Sequence, residues 1–255
     1  MSRIVKYIFY DILRTRFILL YTIFLLASSF AMFQLDTDTG KVIMSLMNIV
    51  LMVVPLVSIV FTTIHFYNSY EFIELMLAQP VNRRVIFLSE YLSTSLSLCI
   101  AYLIGVGVPI LIYGASGASV TLIYAGLMLT MVFVSLAFLA SVLTRDKARA
   151  IGVTLLFWFY FSLIYDGLLL WVIYTFGDYP LEKVTIGLIA LNPIDLARIM
   201  MLLKLDISAL MGYTGAFYQN FFGGVAGTAF SVGVLVLWIV IPLFTGMRIF
   251  SKKDL

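Results

Sequence analysis

Residues 42–70 form a run of 29 positions without a single Asp, Glu, Lys or Arg. About 20 apolar residues suffice for a helix to cross a bilayer, whereas a water-facing helix keeps a polar stripe. Comparable apolar runs recur along the chain, and the expected spans are residues 17–35, 42–70, 86–113, 120–144, 150–176 and 225–246. Pro55 is expected to kink the second. Hydrophobic residues make up 63% of the 255 and charged ones 11%, against roughly 45–50% and 25% in soluble domains. The fold class expected is therefore all-α, a polytopic membrane protein with six transmembrane helices in one domain over residues 1–255.

The connections carry the polar residues. Residues 1–16 place Arg3, Lys6 and Arg14 opposite Ile4, Ile8 and Ile12, the pattern of an amphipathic helix at the membrane interface. The run from Phe17 to Leu35 is long enough to span, which favours a transmembrane helix over a cleaved leader. Between spans two and three, Asn68 and Glu71 have capping-box spacing and Pro80 ends the helical stretch, predicting a short helix over 69–78. Phe72, Leu75 and Met76 share one face and Glu71 and Glu74 another, so the helix can offer an apolar ridge beside carboxylates to a partner; a solvated loop is the alternative. Twelve of the sixteen basic residues lie at the termini, in 71–84 and in 145–149, which predicts that both termini are cytoplasmic. Residues 177–224 then lie outside. There Asn192, Pro193 and Asp195 read as a helix start. Leu196, Ile199, Met200 and Leu203 line one face, with Arg198 off it, suiting either the lipid interface or an extracytoplasmic partner.

Catalytic chemistry is sparse. No phosphate loop, HExxH, EF-hand or nucleophile elbow occurs, so no ATP-binding or hydrolytic site is read in this chain. Lone Cys99 offers no disulfide framework, and nothing suggests a nucleic-acid surface. His65 is the only histidine and is expected to be hydrogen-bonded near the cytoplasmic end of span two rather than to hold a metal. The twelve methionines suit adaptable packing more than copper ligation, and no metal site is expected. Asp166 lies in the outer half of span five, where an acid faces protein or water. It serves either a proton or cation relay, as in a secondary transporter or channel, or a structural hydrogen bond. Glu90 falls in the first turns of span three.

Together, a basic elbow helix, six spans, a short helix between spans two and three, and helices outside between spans five and six resemble the permease subunit of type-2 ABC exporters. The segment YEFIELMLAQPVNRRVIFLSEYL is similar to that family's loop, in which an acidic start and Leu-rich middle precede Pro-Val/Ile-x-Arg. Phe72-Ile73 replaces the usual Gly-Thr pair, and Glu90 stands at a lysine position. Leu191-Asn192-Pro193-Ile194-Asp195-Leu196-Ala197-Arg198 resembles the Asn-Pro-x-Asp-x-x-Arg segment of a branch that serves copper-site maturation of nitrous oxide reductase in denitrification. The resemblance implies a non-catalytic homodimer in the bacterial inner membrane. A cytoplasmic ATPase subunit carrying ATP and Mg would sit on each coupling helix, through Glu71, Phe72, Glu74, Leu75, Met76, Pro80, Asn82, Arg83 and Arg84. A periplasmic β-helical accessory subunit would contact Asn192, Pro193, Asp195 and Arg198. An exporter of lipid, drug or peptide with the same machinery is the alternative.

Overall fold

A computed structural model describes residues 2–78, 81–114, 116–176, 182–205 and 224–252. Pro80, the segments 177–181 and 206–223, and Lys253 of the basic tail lie outside the described residues. The described elements are helical: α1 (Ser2–Leu13), α2 (Arg16–Leu35), α3 (Thr39–Asn68), α4 (Tyr70–Leu77), α5 (Arg83–Tyr113), α6 (Gly117–Leu143), α7 (Lys147–Thr175), α8 (Glu182–Ala190), α9 (Pro193–Lys204) and α10 (Val225–Lys252). Among them α2, α3, α5, α6, α7 and α10 are the six long and apolar enough to cross a membrane.

Four spans begin three residues before their apolar run, and the reason is local. A polar residue just ahead of each satisfies orphan backbone N–H groups. Asp38 accepts from Gly40 N at 2.9 Å, Asn82 from Arg84 N at 3.0 Å and Asp146 from Arg149 N at 3.3 Å. Ser116 and Ser119 form a reciprocal capping box. Lys41, Arg83, Arg84, Lys147 and Arg149 are thereby helical although they are charged. At the far end of the chain α10 runs on through Arg248 to Lys252 instead of stopping at 246.

Helix α6 is the axis of the bundle, with α3, α10, α5, α9 and α7 packed around it. Its central window is 78% buried, against 11% for α7. Lipid supplies no hydrophobic drive between spans, so close approach at small residues and dispersion hold such helices together. Gly126 of α6 shows the device. The fully buried Tyr102 ring lies over it, and a Cβ there would overlap the ring and its hydroxyl. The Tyr102 hydroxyl donates to Leu122 O at 2.9 Å. Likewise Gly105 lets α2 approach α5, since a Cβ would meet Leu25 Cβ at 2.5 Å. Gly105 lies in a π-helical turn, Leu103–Gly107, and α7 carries a second one, Tyr160–Ile164.

Helices α8 and α9 are drawn into the bundle at their junction. The charge pattern places them outside the membrane, yet they form a hairpin bent by 114° whose elbow enters the bundle. Trp238 Nε1 of α10 donates to Ala190 O at 3.1 Å, and Asn192 Nδ2 donates to Phe161 O of α7 at 2.9 Å. Phe161 and Trp238 each sit roughly 20 Å along their helices from the hairpin's end of the bundle, at 1.5 Å per residue. The elbow is thus seated among the spans rather than at the end of the bundle. Asn192 and Arg198 tie the hairpin to α7 through Phe161 O and Asp166.

Candidate functional site

Six crossings bring α1, α4, the α6–α7 turn and the end of α10 to one end of the bundle. There α4 is a short platform held by one residue. Ile73, a position the sequence pattern did not single out, is 1% exposed. Its N–H donates to Ser69 O at 2.9 Å. Phe72 and Met76 are half-buried against the core, while Glu71, Glu74 and Leu75 are exposed. The expected cap is corrected: Asn68 closes α3, and Ser69 precedes α4 without a side-chain capping bond. Asn68 Oδ1 instead accepts from Lys147 Nζ at 2.8 Å, tying this corner to the α6–α7 turn. Asn82 and Arg84 are exposed beside the platform, and Arg83 is half-buried with a partner of its own. Burial and the neighbouring Glu74 carboxylate raise the Tyr70 phenol above its ordinary value.

Directly behind α4, the sole histidine and the acid at the start of α5 come together. His65 Nε2 lies 3.3 Å from Glu90 Oε2, and both side chains are buried. The approach is off the line of a hydrogen bond, so both Glu90 oxygens lack a hydrogen-bond partner among the described residues. His65 also stacks on Phe61 and meets Ser69 Oγ at 3.4 Å. The two side chains bring α3 and α5 together near the start of α4. Sequence spacing named both residues without joining them.

At the opposite end, the hairpin and α7 share a polar knot. Asn192, Pro193 and Asp195, expected as outward contacts, are buried within the described chain. Asn192 accepts from Ile194 N at 3.0 Å as the cap of α9 and donates to Asp195 Oδ2 at 2.8 Å. Arg198 Nη1 donates to Asp195 Oδ1 and to Asp166 Oδ2, both at 2.9 Å. Asn192, Pro193 and Asp195 are shut in, while Arg198 and Asp166 retain partial exposure, 33% and 31% of their side chains. Asp166 is thus an ion-pair partner of the hairpin. The widened turn of α7 contributes Phe161 O to the knot, and the Tyr165 hydroxyl donates to Leu188 O. Beside the knot a cavity of about 170 Å³ is lined by Asn48, Met52, Trp158, Ser162, Ile194 and Arg198. Among the described residues no three His, Cys, Asp or Glu side chains converge as a metal site requires.

The chain matches the profile of the family described as ABC-2 family transporter protein over residues 22–255. It belongs to that family. The permease is also 29% identical over 184 residues to a protein of Pseudomonas aeruginosa named probable ABC transporter permease protein NosY. That alignment covers 68% of the permease and 62% of the relative, so it spans less than two thirds of the latter's length. The permease is the membrane subunit of an ABC-2 type transporter, and the spans α3 and α7 run between its two polar sites.

Proposed function

We propose that this permease couples ATP hydrolysis on a cytoplasmic ATPase subunit to movement of the α8–α9 hairpin on the outer side of a bacterial inner membrane. The observation that carries the reading is α4: an exposed pair of carboxylates and Leu75 on a helix anchored by Ile73, with α3 and α5 joined behind it by His65 and Glu90. A push on α4 reaches two spans at once. ATP and Mg belong to the partner, and this chain supplies no catalytic group. A second copy of the chain completes the assembly along the exposed apolar face of α7. Only contacts that differ between nucleotide states shift such an equilibrium, and the exposed charges of α4 are placed to make them.

The finer reading is maturation of the copper site of nitrous oxide reductase with a periplasmic β-helical accessory subunit. Its support is the similarity to the NosY permease and the Leu191–Arg198 segment. Because Asn192, Pro193 and Asp195 are internal, that subunit would meet the hairpin through exposed Leu191 and Val184 and through Arg198. Export of a lipid, drug or peptide is the competing reading, favoured by the largely apolar cavity at Arg198.

Charge reversal at Glu71 and Glu74 tests the coupling. Pull-down of the ATPase by the double Lys variant is expected to fail while the six spans remain inserted, since rim charges steer association. Undiminished capture would overturn the docking assignment. Capture of the accessory subunit by wild type, lost in Leu191→Glu with ATPase binding intact, separates the maturation reading from export.

A further inference from the structure

Helix α1 packs on α5 with Ile8 and Ile12 buried, and a groove opens beside that contact. Lys6, Phe9 and Tyr10 face Leu92, Leu96 and Ile100 across a groove of about 640 Å³. Along one edge of the groove Ser93 Oγ donates to Val5 O at 3.0 Å and ties the two helices together. Its floor is an apolar track: Leu92, Leu96 and Ile100 recur at four-residue steps, roughly 12 Å along a span. Its rim is different. Lys6 and Tyr10 are exposed there, and among the described residues neither the Lys6 ammonium nor the Tyr10 hydroxyl has a hydrogen-bond or ion-pair partner.

An occupant must be apolar over that track, narrow enough to lie between two helices, and able to arrive from within the bilayer. It must also end in a negative group at the level of an ammonium and a phenol. Interfacial helices rich in Lys bind anionic lipids by this pairing of apolar area with charge. We propose that the α1–α5 groove binds one anionic phospholipid, with an acyl chain along Leu92, Leu96 and Ile100 and its phosphodiester at Lys6. The occupied groove also borders the coupling platform, since Tyr7 of α1 stacks on Phe72 of α4 with ring centroids 6.0 Å apart.

The test uses the full-length protein in detergent, titrated with phosphatidylglycerol or phosphatidylcholine and read by native mass spectrometry. One phosphatidylglycerol per chain is expected to bind at least about fivefold more tightly than phosphatidylcholine. Lys6→Gln is expected to abolish that preference, and Leu96→Trp, which fills the track without altering charge, to abolish retention of the lipid. Lys252→Gln, a distant basic change, is expected to leave both unchanged. Labelling of buried Cys99 by a thiol dye on heating checks that each variant is folded, and Lys6→Met and Leu96→Phe replace any that is not. Equal retention of both lipids, or insensitivity to either groove variant, would mean ordinary annular lipid and overturn the proposal. Displacement by soluble glycerol phosphate would assign the site to a free phosphate ester and overturn it as well.

Discussion

Asn192 is the residue on which the hairpin turns. Its amide serves three groups at once, the N–H of Ile194, the carbonyl of Phe161 and the carboxylate of Asp195. Asn192→Ala leaves them without it, and each buried polar group left unpaired costs about 1–3 kcal/mol. The expected result is a clear fall in the thermal midpoint, followed by dye labelling of the single buried cysteine, Cys99. Leu191→Ala, one residue away and exposed, should leave the midpoint unchanged. Asp166→Asn separates the two roles weighed for that residue. An amide still accepts from Arg198, so fold and coupled activity should persist; a folded but inactive variant would restore the ion-carrying role. The helix start at Asn192 was legible because Asn-Pro-x-Asp is a local pattern. Its inward direction was not, since Phe161 and Asp166 lie 31 and 32 residues away from their partners.

Among the helices, those flanked by caps and those crossing at glycines behave differently under substitution. Gly126→Leu would drive a side chain into the ring of Tyr102, which is fully buried and bonded to Leu122 O. Overpacking of this kind costs about 1–3 kcal/mol or more, and the variant is expected to lose yield and thermal midpoint, while Gly152→Leu, with open space around it, keeps both. For α4, Ile73→Asp should release the platform from the core. The expected readout is protease cleavage within residues 69–84 with the six spans still protected. Apolar runs and their terminators made the spans readable. The three-residue extensions were missed because hydropathy discards a polar first turn, although Asp38, Asn82, Ser116 and Asp146 were visible as capping residues. The π-helical turns have no comparable signal, as their geometry answers a neighbour, Leu25 for α5 and Asn192 for α7.

For the molecule as a whole, the outer surface divides into a half that is finished and one that is not. Along α7, Leu156, Phe159, Leu163 and Leu170 are exposed at helical spacing. In a Cys99→Ser background, single cysteines placed along this stripe should give disulfide-linked dimers at a periodic subset of positions. Absence of any crosslink in native membranes would remove α7 from the subunit interface. The hairpin imposes a different condition, which concerns the order in which the chain is built. Asn192 and Arg198 reach Phe161 O and Asp166 of α7 as well as Asp195 within the hairpin, and the elbow is closed by Trp238 of α10 through Ala190 O. A backbone carbonyl or carboxylate without a partner does not stay in hydrocarbon. A nascent chain that has emerged only as far as α9 therefore has spans to insert but no closed seat for its elbow. The seat of the hairpin closes only once α10 lies beside it, because Trp238 supplies the donor to Ala190 O.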